Sequence, residues 1–234
     1  MNYYKHYSFD LWLTLIKSNP DFKKQRALYF HKNFDSQKKT IQEVETIFRE
    51  VDMMCNSINE KTGKNIDSDE MYLMVLSRLT NSNDFSEIDF DSLYREIEGI
   101  FFNYIPELYS KETIETLDIL KSKSQSPFSI LSNTAFIKGS SLKQVLNHHG
   151  IDQFFEFEIY SDEAGISKPN QLIFELMLQK ALTFQSNTRL ERNQLIHIGD
   201  NYNADILGAG KIGLSAFQIN SNTNTIVNLL NECV

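Results

Sequence analysis

The sequence predicts an α/β protein, a parallel sheet flanked by helices, into which an all-α bundle is inserted after the first strand. Three observations carry this. Residues 6–15, HYSFDLWLTL, form an apolar and aromatic run up to a carboxylate, Asp10, with Thr14 four positions later. From Pro20 to Pro106 the apolar residues recur at steps of three and four, the period of a helix. From Lys111 onward short apolar strands alternate with helical stretches, the rhythm of an α/β sheet.

Each element follows from its residues. Asp10 ends the first strand at the carboxyl edge of the sheet, where open α/β folds bind ligands; Asp also serves there as a turn residue. Pro20 and Asp21 suit a helix start leading to Phe22, Leu28 and Tyr29. The clearest helix spaces Ile41, Val44, Ile47, Phe48, Val51, Met54, Cys55 and Ile58 and stops at Gly63. A third, behind Ser68 or Asp69 as N-cap, carries Met71, Tyr72, Val75, Leu76 and Leu79. The polar run 81–86 breaks it. A fourth carries Leu93, Ile97, Ile100, Phe101 and Tyr104 and ends before Pro106. The many Met and aromatic residues of this region read as bundle core.

In the second part, Ile114, Leu117 and Leu120 mark a helix, and residues 127–131 a strand ending in Ser132 and Asn133. Leu142, Val145 and Leu146 mark a helix closed by Gly150, and residues 155–160 a strand. Pro169 is placed in the first turn of a helix with Leu172, Ile173, Leu176 and Met177. Residues 195–198 form a buried strand running into Gly199 and Asp200. Residues 204–210 make a short helix and 214–219 a last strand.

A hydrophobic content of 41%, with 17 Phe, is enough for a sizeable core. The net charge of −8 argues against a nucleic-acid surface. No apolar run is long enough to span a bilayer, and the first residues do not form a signal peptide. A cytoplasmic protein without membrane partners is expected. Cys55 and Cys233 have neither disulfide nor metal-site spacing; Cys55 reads as a small core residue.

Right-handed crossovers bring the ends of parallel strands to one edge. Four polar groups meet there: Asp10 with Thr14, Ser132 with Asn133, Lys168, and Asp200 with Asp205. The stretches that hold them, FDLWLTL, ILSN, ISKPNQLIFE and IHIGDNYNADILGAGKIG, resemble in order the four motifs of the haloacid dehalogenase-like (HAD) superfamily. The resemblance covers residues 1–16 and about 107–220, and its last two motifs are the most specific.

That resemblance implies a Rossmann-like core over residues 1–16 and 107–234 and a C1-type helical cap over 17–106. It implies a hydrolase in which Asp10 attacks a phosphoryl group and forms an aspartyl-phosphate. Mg²⁺, which favours oxygen ligands, would be held by Asp10, the backbone carbonyl of Trp12 and Asp200, with Asp205 as a ligand or just behind. Lys168 would be the catalytic partner that keeps Asp10 ionised. Thr14, Ser132, Asn133, Lys168 and Trp12 would line the phosphate and substrate site. The implied partner is a small phosphorylated metabolite, and the chain is expected as a monomer or homodimer.

One departure bears on activity. Phosphatases of this family carry a second Asp two positions after the nucleophile, where it protonates the leaving group. Here that residue is Trp12, and Leu13 replaces the usual Gly. An indole has no proton to exchange near neutral pH, so general acid help worth about 10²–10⁴-fold is missing. Metal binding through the carbonyl survives. An aromatic residue here is also a mark of the dehalogenase branch, which needs no metal and usually lacks the counterpart of Asp200. The fourth motif favours a magnesium enzyme, because a carboxylate beside Asp10 is costly without a cation. Three readings stay open. They are a Mg²⁺-dependent phosphohydrolase, suited to leaving groups such as those of acyl phosphates; a metal-independent 2-haloacid dehalogenase-like enzyme; and a catalytically impaired HAD protein that binds a phosphorylated ligand or a partner.

Other polar residues read plainly. His197 is a core imidazole, His148 and His149 are cations at a helix end, and His6 is structural. Asp162 and Glu163 are acidic loop residues before Lys168. Lys38, Lys39, Glu43 and Glu45 belong to a solvated helix face. Lys17, Lys23, Lys24 and Arg26 are available to meet an anion.

Overall fold

β1 (His6–Phe9) is fully buried because its neighbours cover both faces. The computed structural model describes residues 3–34, 38–80, 84–184 and 190–232. After β1 the chain makes a tight turn and leaves through β2 (Ile16–Lys17). It then runs through α1 (Pro20–Phe34), α2 (Ile41–Thr62), α3 (Ser68–Thr80) and α4 (Phe90–Asn103). It returns through β3 (Glu107–Leu108), which pairs antiparallel with β2. The insert thus departs and returns at one two-stranded ladder, too short to be read from sequence.

The rest alternates as the sequence suggests: α5 (Thr113–Ser124), β4 (Phe128–Ser132), α6 (Gly139–His148), β5 (Phe155–Tyr160), a short α7 (Ser161–Ala164), α8 (Gln171–Phe184), β6 (Leu195–Gly199) and β7 (Ser215–Gln218). The five long strands form one sheet in the order β5-β4-β1-β6-β7, and every pair is parallel. β1 is therefore central, and residue 10 emerges in the middle of the carboxyl edge.

The insert is held by an aromatic core continuous with the sheet. α2 begins at a capping box, in which the Thr40 side chain accepts from the Glu43 N–H and Glu43 reaches back to the Thr40 N–H. It ends where Gly63, at φ 70°, takes the left-handed cap. Phe48 and Tyr72 from the insert lie 5.3 and 5.0 Å from the ring of Phe136, which follows β4. Burying each such ring contributes about 1.5–3 kcal/mol.

Several expectations shift. α3 starts at Ser68, so the cap position falls on Asp67, whose N–H donates to Glu70 Oε2 at 2.9 Å. α8 starts at Gln171, which leaves Pro169 before the helix; Asn170 Oδ1 accepts the Leu172 N–H instead. The short helix expected from 204 begins at Tyr202 as a wide π-type turn, Tyr202–Leu207. Arg26 does not face solvent. It is buried, and its guanidinium lies 4.1 Å from the centre of the Phe48 ring and 4.5 Å from that of Phe136. Cys55 is buried, whereas Cys233 and residues 81–83 lie outside the described residues. Among the described residues, no helix is long and apolar enough to cross a membrane.

Candidate active site

Strand register builds the site. Phe9 pairs with Ile130 on β4 and with Ile198 on β6, so Asp10 stands level with Leu131 and Gly199. The Asp10 N–H extends the ladder by donating to the Ile198 carbonyl at 2.8 Å. Side chains two apart on a strand share a face, and His6, Ser8 and Asp10 form such a row. Each meets a polar partner across the sheet. His6 Nε2 bonds Ser129 Oγ at 2.8 Å, and Ser8 Oγ bonds His197 Nδ1 at 3.0 Å. Asp10 meets Lys168.

The ammonium of Lys168 is buried and donates to three oxygens: Asp10 Oδ1 at 2.7 Å, Asp205 Oδ1 at 2.6 Å and the Leu131 carbonyl at 2.8 Å. All three of its protons are thereby used. Thr14 Oγ1 donates to Asp10 Oδ2 at 3.0 Å and Ser132 Oγ to Asp10 Oδ1 at 3.1 Å. Asn133 grips the backbone of Lys168 from both sides, accepting its N–H at 2.8 Å and donating to its carbonyl at 3.0 Å. That leaves its second amide N–H and its backbone N–H as donors for a phosphoryl oxygen.

Asp205 sits deeper. Its Oδ1 also accepts from His197 Nε2 at 3.1 Å, and its Oδ2 from the Asn201 N–H at 2.9 Å. Asp200 is half-buried, with Oδ2 3.3 Å from Ser221 Oγ. Carboxylate oxygens of Asp10, Asp200 and Asp205 lie within 4.8 Å of one another.

The electrostatics follow from burial and these neighbours. Burial pushes the Asp10 carboxyl up, against the pull of Lys168, and Asp205 adds to the rise. Asp200 is pushed up to about 7 by burial, then by Asp10 and Asp205. Burial opposes the charge on Asp205 too, but Lys168 and His197 outweigh it and hold that carboxyl below the usual range. Lys168 is raised despite burial, by Asp10 and Asp205. Burial lowers His197, against the hydrogen bond to Asp205, and Lys168 adds to the fall.

Trp12 is half-buried against the main core. Leu13 adopts φ 58° in the turn after the strand and is held there by Asn220 Nδ2, which donates to the Leu13 carbonyl at 2.8 Å and the Thr14 carbonyl at 3.1 Å. The acidic residues before Lys168 turn elsewhere: Asp162 Oδ2 accepts from the Gly139 N–H and Glu163 pairs with Lys143. Lys17 pairs with Glu107, and Lys23 and Lys24 are exposed.

The insert reaches this edge at the end of α2. Glu60 Oε1 accepts from Asn201 Nδ2 at 2.9 Å, and the Gly63 carbonyl accepts from the Ser167 N–H at 3.1 Å. Asn65 Oδ1 accepts from Ser161 Oγ at 2.7 Å. One segment of the insert therefore holds both the loop that carries Lys168 and the loop that carries Asp205.

Sequence reasoning missed Ser8, His197, Asn201 and Glu60. A signal for two of them was present, since Ser8 shares the face of Asp10 and His197 that of Gly199.

A family model described as haloacid dehalogenase-like hydrolase matches residues 4–213. The chain belongs to that family. Among curated haloacid dehalogenase-like relatives, it is 38% identical over 111 residues to glyceraldehyde 3-phosphate phosphatase of Methanothermobacter thermautotrophicus, covering 47% of this chain and 43% of that protein. It is 29% identical over 119 residues to (S)-2-haloacid dehalogenase 2 of a Pseudomonas species, covering 51% of this chain and 47% of that one. The chain thus spans less than half the length of these relatives. Among solved structures, the HAD-hydrolase YfnB of Bacillus subtilis, crystallised with magnesium, superposes with a TM-score of 0.66 at 19% identity. That match covers 95% of this chain and 91% of YfnB, and it shows the shared fold.

Proposed function

We propose that this chain is a Mg²⁺-dependent phosphohydrolase acting through an aspartyl-phosphate at Asp10, with residues 17–106 as a substrate-selecting cap over a core of 1–16 and 107–234. The observation that carries the reading is the convergence of carboxylate oxygens of Asp10, Asp200 and Asp205 within 4.8 Å of one another, with Lys168 bridging Asp10 and Asp205. Once the proton that Asp200 holds up to about pH 7 is displaced, three carboxylates against one ammonium leave a surplus of two negative charges, the charge of one Mg²⁺. The donor set is all oxygen, as that ion requires. Asp10, the Trp12 carbonyl and Asp200 would hold it. Asp205 already has both oxygens engaged and acts from behind. Bound there, Mg²⁺ offsets the repulsion between Asp10 and the phosphoryl oxygens.

The chain's own residues do the rest. Lys168 opposes the protonation that burial favours at Asp10 and offers positive charge to the phosphoryl group. Thr14 and Ser132 hold the two oxygens of Asp10 and can turn their hydroxyls to the incoming phosphate. An Asp10 oxygen attacks phosphorus, and the bond to the leaving oxygen breaks with its electron pair. Trp12 supplies no proton to that oxygen, so the reading selects leaving groups stable as anions, such as the carboxylate of an acyl phosphate. Water then attacks phosphorus, releasing phosphate and restoring Asp10, with its proton passing to solvent.

Turnover of acetyl phosphate that needs Mg²⁺ and vanishes in Asp10→Asn is the expected result; turnover unaffected by that substitution refutes the proposal. Trp12, together with the similarity to a haloacid dehalogenase, favours a second reading, attack by Asp10 on a carbon bearing halide. Halide release from a 2-haloacid in the presence of chelator distinguishes it. Asp200 stands against it, because a second carboxylate beside Asp10 hinders an anionic nucleophile when no metal ion lies between the two.

A further inference from the structure

His197 lies on the inner face of β6 with no exposure to solvent, and both ring nitrogens are engaged. Its Nε2 is 3.1 Å from Asp205 Oδ1 and its Nδ1 is 3.0 Å from Ser8 Oγ. The Phe174 ring packs edge-on against the imidazole, with centroids 5.3 Å apart. An ionised carboxylate can only accept. The proton must therefore sit on Nε2, which leaves Nδ1 a lone pair that takes the Ser8 hydroxyl proton. The result is a directed chain in which Ser8 donates to His197 and His197 donates to Asp205. Asp205 in turn shares Lys168 with Asp10.

We infer that His197 is a positioning residue for the reaction: through Asp205 it fixes where Lys168 stands against Asp10, and Ser8 fixes its tautomer. The inference rests on the phosphohydrolase reading above. Without the imidazole, Asp205 keeps only Lys168 on Oδ1 and the Asn201 N–H on Oδ2, and nothing on the His197 side sets the tilt of the carboxylate. The ammonium then loses its fixed place between two anions, and Asp10 loses the orientation that aims it at phosphorus. Such supports behind a metal site carry about 10- to 100-fold in affinity or rate. The loss falls on kcat and on Mg²⁺ affinity, because His197 touches no part of the substrate.

The test uses the full chain and two readouts. In ¹⁵N NMR of the unmodified protein, His197 is expected as the neutral Nε2–H tautomer, and Ser8→Ala is expected to release it into a mixture. In kinetics with acetyl phosphate and in Mg²⁺ calorimetry, His197→Phe is expected to lower kcat and Mg²⁺ affinity at least tenfold with KM within about threefold. His197→Gln, whose amide N–H can reach Asp205, is expected to recover most of that loss. An imidazole that merely fills space predicts instead that Phe and Gln variants of equal melting temperature behave alike.

An Nδ1–H tautomer in the unmodified protein overturns the inference. So does a folded His197→Phe with kcat and Mg²⁺ affinity within twofold of the parent while Asp10→Asn is inactive. If Asp10→Asn keeps full turnover, the phosphohydrolase reading falls and this inference with it. Should His197→Phe fail to fold, the tautomer and the Ser8→Ala result decide.

Discussion

Gly199 and Asp205 share one space: a Cβ at residue 199 would lie 2.2 Å from Asp205 Oδ2. The carboxylate lies against bare backbone, and from there it reaches both Lys168 and the Asn201 N–H. Gly199→Ala must displace Asp205, since the position of a Cβ is fixed by the backbone that carries it. It is expected to cost about 1–3 kcal/mol of stability by overpacking and to abolish turnover at temperatures where the fold persists. Thermal melts paired with activity check this, and a folded, fully active variant would contradict it.

Asp200 makes the metal-free protein pH-sensitive. Its folded pKa is raised to about 7 by burial and by Asp10 and Asp205, against an unfolded value of about 3.9. Between those values the folded state retains a proton that the unfolded chain has lost. The contribution of this group to stability therefore falls as pH rises through that window. Melting temperature in chelator is expected to decline from about pH 4 to about pH 7, and Asp200→Asn to flatten the decline and melt higher at the upper end. Apparent Mg²⁺ affinity is expected to rise over the same range as the competing proton leaves. Parallel curves for parent and variant would count against this account of the cluster.

Trp12→Asp tests the missing acid. A carboxyl restored two residues after Asp10 is expected to raise kcat on alkyl phosphates by at least tenfold, out of the roughly 10²–10⁴ available to general acid catalysis. Acetyl phosphate should gain little, because its leaving group needs no proton. Equal gains on both substrates would show that Trp12 acts by bulk.

The clasp between insert and sheet has its own signature. Asn65 Oδ1 accepts from Ser161 Oγ at 2.7 Å and from Ser167 Oγ at 3.3 Å, one residue before Lys168. Asn65→Ala leaves both hydroxyls without that acceptor, at an expected cost of about 1–2 kcal/mol. It should lower kcat/KM and speed amide exchange across residues 165–168, which hydrogen-exchange mass spectrometry reads directly. Unchanged exchange in that segment would separate the clasp from the site.

What sequence could and could not show divides along physical lines. β1, β4 and β6 are short runs flanked by turn signals and buried on both faces, so length and placement betrayed them. Asp10, Lys168 and Asp205 were legible because each sits in a spaced motif, Asp10 at a strand end and the other two in the segments that follow β5 and β6. His197 was not, since a histidine in an apolar strand looks like core until the strand pairing sets Ser8 beside it. Arg26 looked like a surface cation because helix periodicity does not reveal that aromatic rings from α2 and from the loop after β4 close over it. That Asn133 also anchors the Lys168 backbone with its amide is visible only in the folded loop. The two-residue ladder of β2 and β3 is too short to leave any pattern.

The central claim is that Asp10 and Asp200 share one divalent ion. Anomalous diffraction from crystals soaked in Mn²⁺, a stand-in for Mg²⁺, tests it most directly. The account predicts a single strong peak coordinated by Asp10, Asp200 and the Trp12 carbonyl, lost in Asp200→Asn. A map with no peak there, or an ion bound away from Asp10, would contradict it.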